Sequence, residues 1–326
     1  MLKQKNNHIT DRIQEALKVK RASARAYASQ IRRLFTEMKR PGELKLSFLD
    51  SDAVVKHLKN ISNVARRKNM SAAALAGTRT AKMSQARQNS IRLVMMSADA
   101  DYKRFMTSGI RNKGFTGSAD KLWKELKALH RKVGRVLTAR GVFKRSDHTY
   151  ADMQTLQFFV YCKLISHYEP RRLEYSSLRF LTPEKLSLFS AAEQKSMNYI
   201  MQGSPKWKLV WQNYKTARTY GTQTYDIPSG LKTTLRRVRA ILETRVPAGW
   251  VFFTKNNRVM SRSTFSKFLK DNFKTYMGKG YTQNTVRSIR VSALFKDSVP
   301  TKQLLATQAG MGSKLETLAL NYRVPQ

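Results

Sequence analysis

Hydrophobic residues in the first part of the chain recur every three or four positions, which is the spacing of helices with one buried face. A first short helix is predicted over residues 11–20, with Thr10 as its cap, and a second begins near Ser23. Pro41 and Gly42 end the second helix. Its apolar positions lie three, four and seven apart and comprise Tyr27, Ile31, Leu34, Phe35 and Met38.

Further helices continue this pattern, and no strand signal separates them. One starts near Ser51, one covers residues 83–96, and one follows Gly117 and Ser118. The inward positions of the last helix are Leu122, Trp123, Leu126 and Leu129. The sequence therefore predicts an all-helical region over residues 10–140.

The second part of the chain mixes helical spacing with short alternating segments. Thr149 and Asp152 form a capping box for a helix that continues through Leu164. Residues 207–228 alternate as a hairpin with a turn around Gly221. Residues 250–253 are predicted to form a short buried strand, and Asn256 with Asn257 a turn.

Helices account for the rest of this part of the chain. They are predicted over residues 231–244, from Ser263 to about residue 273, from about Thr285, and from Pro300 to Gly310. We therefore expect a mainly α protein with a small antiparallel β-sheet.

A change of pattern at residues 140–148 predicts the domain organisation. This stretch breaks the helical spacing and carries several charges. We expect a helical domain over residues 1–140, a linker over 141–148 and a second domain over 149–326.

The charge of the chain indicates a polyanionic partner. Lys and Arg number 62 against 21 Asp and Glu, which gives a net charge of +41. Self-repulsion of this size favours a nucleic-acid partner, because binding phosphates releases counterions. An anionic membrane is the alternative, but there is no apolar run of spanning length and no signal peptide. We expect an intracellular, DNA-associated protein without a membrane partner.

Cysteine usage excludes two kinds of structure. Cys162 is the single cysteine, so the chain has no internal disulfide and no site built on several Cys ligands. It lies in an apolar run, where a buried and unreactive thiol is expected.

Four short motifs in the second part of the chain carry the candidate chemistry. Arg171 precedes Glu174 by three positions and Leu178 by seven; Lys215 precedes Ile227 and Pro228; Arg287 and Arg290 lie three apart; and Tyr322 follows Gly312 by ten. Spacings of three place Arg287 and Arg290 on one face of a helix.

These motifs, in this order, resemble the boxes of the tyrosine recombinase (integrase) family. The resemblance implies a helical core-binding domain, a catalytic domain, and a clamp around double-stranded DNA. It further implies homo-tetramers on DNA and accessory DNA-bending proteins. It implies neither a metal nor ATP, and no Walker-type loop or His/Cys cluster occurs in the sequence.

The resemblance also implies the role of each residue. Tyr322 would attack the scissile phosphate and form a 3′-phosphotyrosine link. Arg171 and Arg290 would bind the non-bridging oxygens, and Lys215 would protonate the leaving 5′-oxygen. Arg287 stands where the second box of the family has histidine, and Ser313 stands where the third box has histidine or tryptophan.

Several of these positions have a structural alternative. Ser313 with Glu316 also forms a capping box, and Tyr322 lies four after Leu318, as a core aromatic would. Arg172 competes with Arg171, and Lys208 competes with Lys215 on the hairpin. The spacing to Glu174 and Leu178 favours Arg171.

Three functions are open at this point. The first is site-specific DNA recombination or integration, by an enzyme of a virus or mobile element. The second is relaxation of DNA by a type IB topoisomerase, which shares the tyrosine chemistry but works as a monomer. The third is non-enzymatic binding of nucleic acid, for which the net charge alone suffices.

Overall fold

The computed structural model describes residues 2–107, 115–171, 173–203, 206–295, 307–308 and 310–311, with side chains from residue 8 onward and none at 106–107. The chain divides into two compact units, residues 1–111 and 112–326. The protein is mostly helical, with a small mixed four-stranded sheet. The predicted class, mainly α with a small sheet, is confirmed, but the sheet is mixed rather than antiparallel throughout.

The first unit is built from helices. Its elements are α1 (Leu2–Leu17), α2 (Arg21–Glu37), a 3-10 turn (Leu46–Leu49), α3 (Asp52–Lys59), α4 (Val64–Thr80) and α5 (Gln85–Thr107). Helix α3 starts next to Ser51 as predicted, and the Ser51 side chain caps it by accepting a hydrogen bond from the backbone of Ala53. The predicted apolar face of α2 is also observed, because Ile31 and Leu34 are fully buried.

Helix α4 has no counterpart in the sequence prediction. It packs against α1, α2, α3 and α5 and is buried on several sides. A helix enclosed in this way has no polar stripe to give a helical period, which is why the pattern missed it. Gly77 lets its neighbours approach closely: a Cβ there would lie 2.5 Å from Leu49 Cδ1.

The second unit surrounds α7 with helices. Its elements are α6 (Ala119–Ala139), α7 (Tyr150–His167), a 3-10 turn (Leu173–Ser177), the short helices α8 (Pro183–Ser187), α9 (Ala191–Lys195) and α10 (Ala217–Tyr220), then α11 (Ser229–Arg245), α12 (Arg262–Met277) and α13 (Gln283–Leu294). The predicted capping box of Thr149 and Asp152 opens α7. Aromatic side chains fill the core around it: Phe158, Tyr161, Phe252, Phe265, Phe268 and Phe273.

The sheet of the second unit contains β1 (Leu178–Leu181), β2 (Asn198–Met201), β3 (Lys208–Trp211) and β4 (Gln223–Asp226), in that spatial order. β1 and β2 are parallel, with α8 and α9 in their connection, and the other pairs are antiparallel. Trp211 pairs with Gln223 across β3 and β4, which confirms the predicted hairpin. β1 and β2 have no counterpart in the sequence prediction.

The division into units differs from the sequence-based boundaries at 140 and 141–148. α6 packs against α7 and α13, and its buried residues belong to the core of the second unit. Within residues 141–148, Val142 is fully buried and its carbonyl oxygen lies 2.9 Å from His148 Nε2. The charged stretch is thus part of the second unit, and the division falls between 111 and 112.

Three local predictions need correction. Thr10 does not cap a first helix, because it lies inside α1, which covers Leu2–Leu17. Residues 251–253 are buried as expected and Trp250 is partly buried, but these residues form only isolated bridges, from Trp250 to Arg179 and from Phe253 to Val259. Helix α12 begins after Ser261 rather than at Ser263, because the Ser261 hydroxyl accepts the backbone N–H of Thr264. The turn at Asn257 is confirmed, with φ at 59°.

Cys162 is fully buried in α7, as predicted, and burial raises the pKa of its thiol well above the usual value. Among the helices that the structure describes, none is both long and apolar enough to cross a membrane.

Gly249 is the glycine on which the sheet depends. Its φ is +76°, and a Cβ there would lie 2.5 Å from the carbonyl oxygen of Phe180 in β1. The Phe180 N–H also donates to the Gly249 carbonyl at 2.8 Å. Only a residue without a side chain fits this conformation and this contact.

We expect Gly249→Ala to lower the free energy of unfolding by about 2–5 kcal/mol, from left-handed strain and overpacking together. Gly230→Ala, in α11, is the matched control because a Cβ there meets nothing within 4 Å. It should be neutral or stabilising by up to about 1 kcal/mol. Urea midpoints followed by tryptophan fluorescence measure both, and equal midpoints for the two variants would contradict this account.

Candidate functional site

Three arginines from distant parts of the chain come together in the second unit. Arg171 follows α7 after Pro170, whereas Arg287 and Arg290 lie one turn apart on α13. The N-terminus of α13 is fixed by Thr282, whose side chain accepts the backbone N–H of Thr285. Residues 169–171 contact α13 through hydrogen bonds that span more than 110 positions of sequence. We call these three residues the arginine cluster.

Arg287 is the innermost member of the arginine cluster. It is fully buried, and its Nη1 donates to the carbonyl oxygen of Pro170 at 2.8 Å and to that of Met311 at 3.3 Å. Met311 is itself buried against Val291 of α13. Arg287 therefore binds the backbone at the residue before Arg171 and at the residue before Gly312.

Arg290 is paired with a carboxylate that the sequence did not indicate. Its Nε lies 2.8 Å from Glu169 Oε2, and its Nη2 lies 2.5 Å from Glu169 Oε1. The guanidinium also faces the Trp123 ring at 5.2 Å. The pair is largely enclosed, since the two side chains are 14% and 20% exposed. A bidentate contact of this kind fixes the plane of the guanidinium.

Glu169 is in turn enclosed by residues that shortly precede Gly312 in the sequence. Thr307 Oγ1 lies 3.4 Å from Glu169 Oε1. A Cβ at Gly310 would lie 2.9 Å from the Cβ and Cγ of Glu169, so only glycine permits this approach. The structure thus gives Gly310 a packing role in addition to its predicted place at the end of a helix.

Arg171 is buried among neutral partners. Its Nη2 donates to Gln223 Oε1 of β4, and its guanidinium carbon lies 5.2 Å from the Trp211 ring and 4.6 Å from the Tyr214 ring. Burial raises the pKa of Tyr214, and the Arg171 charge opposes that rise. Within the part of the chain that the structure describes, no carboxylate lies within ion-pair distance of Arg171.

Gln283 connects the backbone of the first motif to the core. Its Nε2 donates to the Arg171 carbonyl oxygen, and its Oε1 accepts the hydroxyl of Tyr161 in α7. All three groups are buried. Since each end of the amide has a partner, Gln283 fixes the position of the Arg171 main chain.

Glu174 and the hairpin lysines lie around the arginine cluster. Glu174 is buried in the 3-10 turn that follows Arg171, and its Oε2 makes no hydrogen bond to any described residue. Lys215 is exposed, next to Tyr214 and after the Trp211 end of β3. Lys208 opens the same strand at its other end, opposite Asp226. Of the two lysines, Lys215 is therefore the one beside the aromatic contacts of Arg171.

Some predicted residues lie outside the described part of the chain, namely Tyr322, Ser313, Gly312 and Arg172. Their assignments remain predictions. The structure adds Glu169, Gln223 and Gln283, which sequence reasoning missed. An acidic residue two positions before Arg171, in a chain this basic, is the one signal that could have indicated Glu169.

The described residues contain no group of three or more His, Cys, Asp or Glu side chains that could hold a metal ion. The chemistry that this arrangement supports is the binding of an oxyanion by guanidinium groups.

Comparison with known proteins leaves the family open. The sequence matches no protein-family model, and no curated protein is similar to it. Among solved structures, the crystal structure of XerA recombinase is similar over 98% of this chain and 95% of its own, with 12% sequence identity and a TM-score of 0.36. A similarity this low establishes neither a shared fold nor a shared activity.

We expect Arg287→Met to lower the free energy of unfolding by about 2–4 kcal/mol, because two buried carbonyl groups lose their donor. Arg236→Met, the same change at an exposed position of α11, should stay within about 0.5 kcal/mol of wild type. Urea denaturation of both variants measures the difference. An Arg287→Met protein as stable as the control would remove Arg287 from its structural role.

Proposed function

We propose that this protein is a site-specific DNA recombinase or integrase that cuts and rejoins duplex DNA through a tyrosine. In the first step Tyr322 releases its phenolic proton to water, its oxygen attacks the scissile phosphorus, and the bond from phosphorus to the 5′-oxygen breaks. Lys215 gives the leaving 5′-oxygen a proton, and the 3′ end stays on the enzyme as a phosphotyrosine. Attack by a 5′-hydroxyl of a second strand reverses these bonds, so that no external energy source is needed.

The observation that carries the proposal is the meeting of separate motifs around one set of cations. Residues 169–171 contact both the hairpin at Gln223 and α13, although the three segments lie far apart in sequence. Thr307 and Met311 contact the same place, Thr307 through Glu169 and Met311 through Arg287. Each of these segments has no catalytic meaning by itself, but together they form a site suited to a phosphate.

Arg290 retains donors for a phosphate while it is paired with Glu169. A guanidinium offers five N–H groups, and Glu169 uses only those on the Nε and Nη2 side. Arg290 Nη1 makes no hydrogen bond within the described residues. Its N–H groups can therefore bind a non-bridging oxygen, with Glu169 holding the plane of the fork.

Arg171 supplies the second positive charge in the proposal. Among the described residues, this buried cation contacts an amide oxygen and two aromatic rings, and no carboxylate lies at ion-pair distance to offset its desolvation. A phosphodiester would supply that charge, and it gains more negative character on its oxygens in the transition state. Arg287, which is buried and bound to backbone carbonyls, acts as a positioning residue in this scheme.

The proton transfers fall to Lys215 because histidine is missing from this part of the chain. The five histidines are His8, His57, His130, His148 and His167, and all precede the hairpin. Arg287 stays charged at any accessible pH and cannot act as a base. Ser313 would contribute one hydrogen bond to the phosphate. In the full reaction, four cleavages by a DNA-bound tetramer exchange two duplexes.

Tyr322→Phe tests the reaction directly. Wild type should form an SDS-resistant covalent adduct with nicked duplexes taken from the DNA that flanks its own gene, whereas Tyr322→Phe should bind these duplexes without forming it. Tyr27→Phe, in the first unit, is the matched control and should keep the adduct.

Loss of the adduct in both tyrosine variants, or its survival in Tyr322→Phe, contradicts the assignment of the nucleophile. Wild-type protein that binds these duplexes but never forms an adduct would leave only non-enzymatic binding. Joining of strands between two duplexes separates a recombinase from a topoisomerase, which would only relax supercoils.

We expect Glu169→Ala to slow adduct formation about ten- to hundredfold, because Arg290 loses two hydrogen bonds that orient it. Glu169→Gln should recover part of the rate, since its amide oxygen still accepts. Binding of uncleaved duplex should change little in either variant. Glu125→Ala, an exposed change on α6, is the control. An equal loss of rate and of binding in Glu169→Ala would point to general misfolding rather than positioning.

A further inference from the structure

Five cationic or titratable side chains form a second positive surface in the second unit, where α6 packs against α7. We call it the α6–α7 cluster; its members are Lys127, His130, Arg131, Lys163 and His167. On α6 they lie three and four positions apart, and on α7 four apart, so each helix presents its members on one face.

One contact and two electrostatic interactions across the two helices show how these faces meet. Gly134 lies against Phe159, since a Cβ at Gly134 would be 3.2 Å from Phe159 Cε2. One turn earlier on α6 and one turn later on α7, the charge of Lys163 lowers the pKa of His130. A further turn on, Lys127 acts on His167. The two helices are thus antiparallel neighbours at this face.

The folded structure concentrates positive charge here without a counter-ion. Within the described residues, no member of the α6–α7 cluster forms an ion pair. Lys163 is partly buried, with its Nζ 5.8 Å from the Phe159 ring centroid. His130 Nδ1 lies 2.8 Å from the Lys127 carbonyl oxygen, which fixes a proton on Nδ1 and leaves Nε2 to accept another.

Burial and neighbouring charges disfavour the protonated form of both imidazoles in the free protein. Burial first, and then the charges of Lys163, Arg131 and His167, lower the pKa of His130. Burial, Lys163 and Lys127 lower the pKa of His167. Burial also lowers the pKa of Lys163. A surface of like charges that repel one another in the free chain is suited to an anionic partner.

We propose that the α6–α7 cluster is a binding surface for the phosphate backbone of duplex DNA, and that its two histidines take up protons when DNA binds. The inference rests on the proposed function, which makes DNA the polyanion. A phosphate favours the protonated imidazole, so the affinity should rise as the pH falls through the range in which His130 and His167 titrate.

The test measures the salt dependence of binding by fluorescence anisotropy, with a labelled duplex of arbitrary sequence. Each phosphate contact adds about 0.9 to the slope of log K against log salt concentration. At about pH 8 the imidazoles are neutral, and His130→Gln with His167→Gln should match wild type. At about pH 5.5 wild type should gain up to about 1.8 in slope, and the double variant should not.

Matched variants separate the α6–α7 cluster from the rest of the charge. Lys163→Gln should lower the slope by about 0.9 at both pH values, whereas Lys195→Gln, an exposed lysine of α9, should leave it unchanged. His8→Gln, an exposed histidine of the first unit, should keep the full gain at low pH. Because these changes relieve repulsion, thermal melts should show a Tm equal to or above that of wild type.

The outcomes distinguish this inference from the proposed function. If the double histidine variant gains as much slope as His8→Gln, or Lys163→Gln behaves like Lys195→Gln, the α6–α7 cluster does not contact DNA. Variants that alter binding to phosphatidylserine vesicles but not to duplex DNA would assign the surface to a membrane. Binding as expected without a Tyr322 adduct would overturn only the proposed function.

Discussion

The candidate site depends on the hydrogen bonds that the buried guanidinium of Arg287 donates. It lies inside the second unit and donates to carbonyl groups of Pro170 and Met311, which are separated by most of that unit's sequence. Buried backbone acceptors cannot be left without a donor at little cost, so this contact restrains both segments at once. Arg171 and Glu169 flank the first carbonyl, and Arg290 lies one turn from the donor. Their positions follow from it.

Charge explains why the site has this form. A chain with 62 basic and 21 acidic residues has few carboxylates to place beside its cations. Glu169 pairs with Arg290. It orients one edge of the Arg290 guanidinium and leaves the other edge for an anion. Arg171 is instead stabilised by an amide and two aromatic faces. The α6–α7 cluster has no carboxylate among the described residues either, and both places are suited to the same polyanion.

The sequence predicted what depends on local spacing. The helix starts near Ser51 and after Ser118, the capping box at Thr149 and the hairpin at 207–228 are local features, and the structure contains them. The pairing of Arg287 and Arg290 on one helix face followed from their separation by three residues. The sequence did not predict α4, because this helix is enclosed on several sides. The start of α12 was assigned to Ser263 rather than to Ser261, because a second serine stands two residues later.

Contacts between distant segments could not be predicted in this way. Nothing in the spacing pairs Glu169 with Arg290 or joins Gln283 to Arg171, since these contacts arise only when α13 packs beside the end of α7. The same packing decides that Arg287 is a buried positioning group rather than an exposed one. The roles of Tyr322 and Ser313 remain sequence-based predictions.

Peptide mapping of the covalent complex tests the central claim most directly. After nuclease trimming and tryptic digestion, the peptide covering residues 315–323 should carry a nucleotide joined through phosphate to Tyr322. Fragmentation in a mass spectrometer locates the bond to one residue. A nucleotide on any other residue, or a peptide that stays unmodified while the protein binds and processes DNA, would contradict the account.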